Sequence, residues 1–297
     1  MLDPTRPRIA AKPSDAAKTS RYRALGEGSG FAFSVIAILA TGALWWLATR
    51  NWSFEVWLPG AGSRQFELPL LKPLFLPKPE AIWLAFRQAM NGELDNHTLI
   101  SHLGASLGRV FSAFFFAVIV GIPLGIGMGA SRLVRGVFDP FIEFYRPLPP
   151  LAYLPLMIIW FGIGEQAKII LLFLAIFAPV ALAARAGVRS VPQEQIQAAL
   201  SMGATRDQVV RYVIVPGALP EILVGLRIGM GVGWTTLVAA EMVAADAGLG
   251  KMVYNASNFL RTDVVILGIL AIGCVAYVFE LVMRMLERRL VPWKGKV

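Results

Sequence analysis

The chain has 297 residues, of which 56% are hydrophobic and 16% are charged. Because soluble domains average about 45–50% apolar and about 25% charged residues, this composition excludes an ordinary soluble domain and indicates a membrane protein. The net charge of +9 is compatible with nucleic acid or anionic lipid as a partner, but basic residues also collect in the cytoplasmic loops of membrane proteins. The single cysteine, Cys274, excludes an intrachain disulfide, and we expect it to be buried in its apolar segment.

The first part of the chain divides into three segments. Residues 1–30 are polar and lack apolar periodicity, which is typical of a disordered tail. Residues 31–49 are uncharged and long enough to cross a bilayer, and they favour an uncleaved first span over a secretory signal peptide. Residues 50–97 are predicted to be periplasmic and to include an amphipathic helix with Pro79 in its first turn.

Five further apolar segments complete a prediction of six membrane spans. The first of them carries Gly121, Gly125 and Gly129 at every fourth position, a pattern that lets helices approach closely in lipid. The second contains four prolines, so its helix must start late or kink. The five segments are residues 110–130, 147–164, 169–184, 219–240 and 264–279.

The distribution of basic residues predicts the orientation of these spans. If both termini are cytoplasmic, the cytoplasmic segments contain 18 of the 28 Lys and Arg residues and the periplasmic segments contain 8. Because Lys and Arg are concentrated in cytoplasmic loops, both termini and the polar segment 190–218 are predicted to face the cytoplasm. Residues 98–287 then form the membrane core, and residues 288–297 form a short cytoplasmic tail.

The polar segment 190–218 is predicted to contain two short helices. Two capping boxes mark their starts, and Gly203 lies between them, where glycine can adopt the left-handed conformation that ends a helix. Pro216 is expected to end the second helix. A structured cytoplasmic segment of this length is a candidate docking element for a soluble partner. The capping pairs are Ser190 with Gln193 and Thr205 with Gln208.

Segment 190–218 resembles the EAA loop of binding-protein-dependent ABC importer permeases. That pattern is Glu-Ala-Ala, three residues, Gly, nine residues, Ile, one residue and Leu-Pro, and this chain keeps every spacing. It departs from the pattern at Gln197, Val213 and Val215, which replace Glu, Ile and Leu. The resemblance assigns an ATPase-coupling role to the following residues: Gln197, Ala198, Ala199, Gly203, Ala204, Thr205 and Pro216.

The resemblance extends from about Phe75 to the end of the chain, through stretches such as FLPKPEAIW and DPFIEFYRPLPPLAYLPLMIIWFGIGE. It implies an all-α membrane protein of the bacterial inner membrane, with six transmembrane helices, a type I ABC importer permease core and a cytoplasmic EAA coupling loop. The implied partners are a second copy of this chain, two ABC ATPase subunits and a periplasmic substrate-binding protein. The implied function is ATP-driven import of a small anionic or zwitterionic solute.

The chain resembles a branch of these permeases that handles taurine, alkanesulfonates, nitrate and bicarbonate. Taurine is the solute that the resemblance favours for this chain. Segment 54–73 is longer than the family leads us to expect. This segment either contacts the binding protein or is a passive loop, and the passive loop is the favoured interpretation.

Four polar residues are candidates for the translocation path. Arg227 is an intramembrane cation that suits an anionic solute, but an ion pair or a position near the cytoplasmic face also explains it. Thr235 and Thr236 are suited to line a path or to hydrogen-bond between helices. Glu241, near the outer end of the same span, is suited to the path or to a structural ion pair.

We expect no metal site, no cofactor and no catalytic centre in this chain. His97 and His102 are not at metal-ligand spacing, so both are expected at the surface. Residues 248–251, GLGK, lack the first glycine and the Ser or Thr of a phosphate-binding loop, so ATP hydrolysis is expected on a separate subunit. The alternatives are an ion-coupled secondary transporter, a membrane enzyme and a DNA-binding helix-turn-helix. None of them explains the EAA spacing, and membrane spans on both sides of the segment exclude nucleic acid as a partner.

Overall fold

The computed structural model describes the backbone of residues 31–58, 62–69 and 74–293. The predicted tail 1–30 and the last residues, 294–297, lie outside this part of the chain. The residues form two compact units that meet at Leu70 and Leu71 in the sequence.

The first unit contains one helix and one β-hairpin. Helix α1, Phe31–Thr49, covers the predicted first span. Strand β1, Asn51–Leu58, pairs antiparallel with strand β2, Gly62–Pro69, and Asn51 lies opposite Pro69. Apolar and polar residues alternate over most of β1, which is the period of a strand. Most of the segment for which a passive loop was favoured is therefore a hairpin, whereas the membrane-spanning part is all-α as expected.

The second unit is helical throughout its described length. Between α4 and α5 the chain forms a single 3₁₀ turn, Pro150–Tyr153, and between α8 and α9 it forms a π-helical turn, Val210–Ile214. The helices are α2 Pro79–Asn91, α3 Leu99–Ala130, α4 Arg132–Tyr145, α5 Leu154–Phe161, α6 Glu165–Ser190, α7 Gln193–Ser201, α8 Arg206–Val209, α9 Val215–Ala244, α10 Leu249–Asn258 and α11 Thr262–Leu290.

Four helices of the described part are long and apolar enough to cross a membrane without interruption: Leu99–Ala130, Glu165–Ser190, Arg206–Val243 and Thr262–Leu290. The segment predicted as a span over residues 147–164 forms only a short apolar helix, Pro150–Phe161. A helix of that length reaches about 18 Å, which is less than the ~30 Å of a bilayer core. The helix therefore starts late, as its prolines predict, and the residues of the predicted span 147–164 do not by themselves reach across a bilayer.

The crossing that replaces it is broken and begins earlier, at α4. Asp139 of α4 pairs with Arg185 near the end of α6, and Tyr145 reaches the carbonyl oxygen of Leu174 in the middle of α6. Leu154 and the rest of α5 pack near the start of α6. The chain from α4 to α5 thus runs antiparallel to α6 along most of its length. Three prolines between residues 147 and 150 explain the break, because proline cannot donate the helical hydrogen bond.

Helix α6 packs against the glycine row of α3, as the spacing predicts. A Cβ added to Gly125 would meet the backbone of Ala181, and one added to Gly129 would meet Val188. Both contacts advance in the same direction, so α3 and α6 run parallel. Small residues let the two helices approach at backbone distance, which is how helices associate in lipid.

A second glycine row, on α9, packs against the other side of α6. A Cβ added to Gly225 would meet Ala183, and one added to Gly229 would meet Val180 and Ile176. The order of these contacts makes α9 antiparallel to α6. Gly225 and Gly229 have the same four-residue spacing as the first row, so this close contact was also predictable from the sequence.

The prediction for the start of α2 is confirmed, and the prediction that Cys274 is buried is wrong. Helix α2 begins at Pro79 as predicted, and it buries Ile82, Ala85 and Ala89 on one face. Cys274, expected to be buried, is exposed. Its helix, α11, has few buried positions and turns most of its apolar surface outward, where lipid replaces protein as the apolar neighbour.

We expect Gly125→Ala to destabilise the folded chain by about 1–3 kcal/mol, because the new methyl group collides with rigid backbone of α6. Gly108→Ala is the matched control on the same helix, since an added Cβ there meets nothing within 4 Å. Thermal unfolding of the purified protein in detergent measures both. Equal melting temperatures for the two variants would contradict the close packing of α3 on α6.

Candidate functional site

The first half of the EAA loop is one short helix that ends at a glycine. Helix α7 runs from Gln193 to Ser201 and is followed by Gly203, whose φ of +86° is left-handed. The Gly203 amide donates to the carbonyl oxygen of Leu200 at 2.9 Å, and the Ala204 amide donates to that of Ala199 at 3.1 Å. These bonds satisfy carbonyls that the helix end leaves free, which confirms the predicted role of Gly203 as the helix stop.

One of the two predicted capping boxes is present. The Thr205 amide donates to Gln208 Oε1 at 2.8 Å, and the Gln208 amide donates to Thr205 Oγ1 at 3.4 Å. The prediction of a capping box at Ser190 is wrong. Ser190 is the last residue of α6 and its hydroxyl donates backward to the Gly187 carbonyl at 2.9 Å, so it is unavailable as a cap for α7.

The second half of the loop continues into the membrane without a break. Helix α8, the π-helical turn and α9 form one helical rod from Arg206 to Ala244. The prediction that Pro216 ends a separate helix is wrong. The π turn immediately before Pro216 widens the helix, and this accommodates the proline, which lacks an amide hydrogen and would crowd a regular preceding turn.

The EAA loop has a buried side and an exposed side. Ala199, Val209 and Ile214 belong to the main hydrophobic core, together with Val291 after the end of α11. Gln197, Ala198 and Thr205 are exposed, and Ala204 is half-buried. Met202 is 83% exposed at the tip of the loop, beside the exposed Leu200. One side of the loop therefore packs into the core, and the other side exposes both polar and apolar side chains.

Arg227 is held by two carboxylates of α11. Its Nε donates to Glu280 Oε2 at 3.1 Å, its Nη2 also contacts Glu280, and its Nη1 donates to Glu287 Oε2 at 3.3 Å. Arg284 completes the cluster with an i,i+4 ion pair to Glu280, at 2.9 Å. The cluster joins α9 to α11. This geometry favours a structural role for Arg227, and its role in a solute path stays a prediction.

Glu241 lies at the centre of a buried polar network at the other end of the bundle. Its side chain is 0% exposed, and it accepts hydrogen bonds from Ser106 Oγ at 2.7 Å, Arg109 Nη1 at 2.6 Å and the Gly250 amide at 2.9 Å. The last of these places a carboxylate at the N-terminus of α10, where it complements the helix dipole. Gly248 (φ +150°) lies against the same carboxylate and leaves no room for a Cβ. Glu241 therefore ties α3, α9 and α10 together.

Arg109 is the cation of this network, and it was not among the functional residues predicted from the sequence. It donates through Nε and Nη2 to both oxygens of Glu165, at 2.5 and 2.8 Å, and through Nη1 to Ala247 O at 2.7 Å. Lys168 adds a second cation to Glu165, at 2.7 Å. The spacing of His102, Ser106 and Arg109 could have indicated a polar network, because it puts three polar residues on one face of an apolar helix.

His102 belongs to the same network and is not at the surface as expected. It is buried, its Nε2 lies 3.1 Å from Asp95 Oδ1, and its Nδ1 accepts from the Gly248 amide at 3.0 Å. Among the residues that the structure describes, no group of three or more His, Cys, Asp or Glu is arranged to hold a metal ion.

The two threonines of the predicted path bond within their own helix. Thr235 Oγ1 and Thr236 Oγ1 each donate to the carbonyl oxygen of Val232, both at 2.9 Å. Thr235 is exposed and Thr236 is buried. Their participation in a translocation path stays a prediction, as does that of Glu241.

Comparison with known proteins identifies relatives across most of the chain. A family described as "Binding-protein-dependent transport system inner membrane component" matches residues 117–292. The taurine transport system permease protein TauC of Escherichia coli is 60% identical over 232 residues, which are 77% of this chain and 84% of the relative. The nitrate import permease protein NrtB of a Synechocystis species is 30% identical over 226 residues, which are 74% of this chain and 82% of the relative.

A solved structure shares the fold. The crystal structure of an amino acid ABC transporter with histidines matches with a TM-score of 0.54 and 26% sequence identity. The match covers 64% of this chain and 92% of the other.

We expect Glu241→Ala to lower the stability of the fold by about 3–5 kcal/mol, because it removes one of the two carboxylates that pair with the buried Arg109 and leaves the Gly250 amide without its acceptor. Glu143→Ala is the control, since Glu143 is exposed and lies 3.4 Å from Arg185. The melting temperature of each purified variant is the measurement. A Glu241→Ala variant that melts with the control would show that the network is dispensable.

Proposed function

This chain belongs to the family of binding-protein-dependent transport system inner membrane components, and we propose that the solute it carries is taurine. As the permease subunit of a bacterial ABC importer, it is a multi-pass protein of the inner membrane and works with an ATPase and a substrate-binding protein. The observation that supports taurine is the identity to the taurine permease, which is twice that to the nitrate permease. Import of an alkanesulfonate, nitrate or bicarbonate is the alternative.

Both termini and the EAA loop are proposed to face the cytoplasm. The distribution of Lys and Arg supports this orientation, because the cytoplasmic segments then contain most of the basic residues. The network around Glu241 and Arg109 then lies near the periplasmic face, and the cluster around Arg227 lies toward the cytoplasm.

Helix α7 is proposed to be the element that docks on the ATPase. Its exposed side carries Ala198, Leu200 and, beyond its end, Met202. Small and apolar side chains of this kind suit close contact with a groove of a partner. Gln197 stands where the family pattern has Glu, so a salt bridge from that position is replaced by a neutral hydrogen-bonding group.

The complete importer is proposed to contain two copies of this chain, two ATPase subunits and one binding protein. ATP is bound by the ATPase subunits, and we propose that this chain binds no cofactor. The sequence supports this division because it lacks the glycine and hydroxyl residues of a phosphate-binding loop at GLGK, residues 248–251.

The proposed solute is tested by reconstituting the complete importer in vesicles with its cognate binding protein. We expect taurine to stimulate ATP hydrolysis and to accumulate in an ATP-dependent manner, more strongly than ethanesulfonate or nitrate. A complex that is stimulated by nitrate and unaffected by taurine would overturn the proposal for taurine.

The docking proposal is tested by Met202→Glu. The side chain is 83% exposed, so the substitution leaves the fold intact, but it places a charge in an apolar contact. We expect loss of ATPase co-purification. Phe259→Glu is the matched control, because Phe259 is 80% exposed and lies beyond α10, on the proposed periplasmic side. Equal recovery of the ATPase with both variants would contradict docking through the EAA loop.

A further inference from the structure

The break between α4 and α5 leaves a cavity beside α6. Its volume is about 550 Å³, within the ~300–1,000 Å³ range of small-molecule sites. The walls come from the broken crossing, from α6 and from α9. The residues that matter for its chemistry are Tyr145, Arg146, Tyr153, Leu174, Arg185 and Val232.

The cavity runs from the middle of the membrane-spanning bundle toward the end of α6, because Arg185 on its wall is about 8 Å from that end. Leu174 is about 14 Å along the axis of α6 from its start and about 24 Å from its end. Val232, on the opposite wall, is about 18 Å from the outer end of α9. Because a bilayer core is about 30 Å thick, Leu174 and Val232 place one end of the cavity near the middle of the membrane.

Arg146 is an unpaired cation at this depth. Arg146 is exposed, and among the described residues no carboxylate lies within the 4.0 Å of an ion pair to its guanidinium, which makes no side-chain hydrogen bond. The other arginines inside the bundle are paired: Arg109 with Glu165 and Glu241, Arg185 with Asp139 and Glu143, and Arg227 with Glu280 and Glu287. A guanidinium near the middle of a bilayer is costly unless it faces water or an anion, and such residues mark solute pathways.

We propose that Arg146 binds the anionic group of the solute, a sulfonate, while the solute crosses the membrane. The inference rests on the proposed function for the identity of that group. A guanidinium presents several N–H donors in one plane, so it can bond two oxygens of one sulfonate at once. No Asp or Glu is among the described residues that line the cavity. The site therefore recognises the sulfonate end of the molecule and makes no ion pair with its ammonium group.

This assignment moves the anion-binding role from Arg227 to Arg146. The positive charge of Arg227 is neutralised by two carboxylates, so its attraction for a further anion is weak. Arg185 also lines the cavity, but Asp139 and Glu143 hold it against α4. The net charge that the cavity offers to a solute comes from Arg146.

The first test is independent of transport. The permease–ATPase complex is treated with phenylglyoxal, which modifies accessible arginines, at constant ionic strength, and modified peptides are identified by mass spectrometry. We expect Arg146 to react, and ethanesulfonate to slow its reaction several-fold while ethylammonium does not. Arg132, exposed at the start of the same broken crossing, reports any general effect of the anion. An inert Arg146, or equal slowing at Arg146 and Arg132, would overturn the proposal.

The second test uses uptake by the reconstituted importer. Arg146→Gln is expected to lower taurine uptake about tenfold or more, as expected for loss of a charged hydrogen-bonding partner, while ATPase co-purification is kept. Arg146→Lys should recover part of the uptake, and Arg132→Gln is the matched control that removes one positive charge outside the cavity. Normal uptake by Arg146→Gln would overturn the assignment. Absence of taurine uptake by the wild-type importer would contradict the proposed solute instead, and the phenylglyoxal result would still decide the role of Arg146.

Discussion

The close packing of α6 between α3 and α9 is the constraint on which the rest of the structure depends. Two rows of glycines bring these helices to backbone distance. At one end, Arg109 on α3 reaches Glu165 on α6 and Glu241 on α9, so a single guanidinium fixes the relative positions of all three helices. A buried charge of this kind is tolerated only with its partners in place, which makes the arrangement specific as well as close.

That rigid core places a continuous helix beside a broken one. The rod from Arg206 to Ala244 begins in the EAA loop and carries Ile228 and Val232 into the wall of the cavity. The opposing crossing is interrupted at residues 147–150, which opens space for a solute. Movement of the EAA loop, whose second half is the start of this rod, can therefore reach the cavity through one stiff element, which is the coupling that alternating access needs.

Local features were predictable from sequence, and features that depend on tertiary contacts were not. The glycine spacing of α3, the stop at Gly203 and the capping box at Thr205 are properties of neighbouring residues and are confirmed. The partners of Arg227 are 53 and 60 residues away, and no local pattern indicates them. Arg146 was counted as cytoplasmic because the crossing was predicted to start at Pro147, whereas α4 brings it into the bundle. The helix through Pro216 was missed because proline usually ends a helix, and a π turn is the less common way to accommodate it.

Coupling of this kind requires that the EAA loop and the cavity wall move as one body. It is tested most directly by electron paramagnetic resonance distances in the complete importer, with spin labels at Met202 and Ile228 in a Cys274→Ser background. The distance between the two labels within one chain is predicted to be the same in the nucleotide-free and ATP-bound states, while the distance between Ile228 of one copy and Ile228 of the other changes. A within-chain change of about 5 Å or more, the rise of one helical turn, would contradict the account.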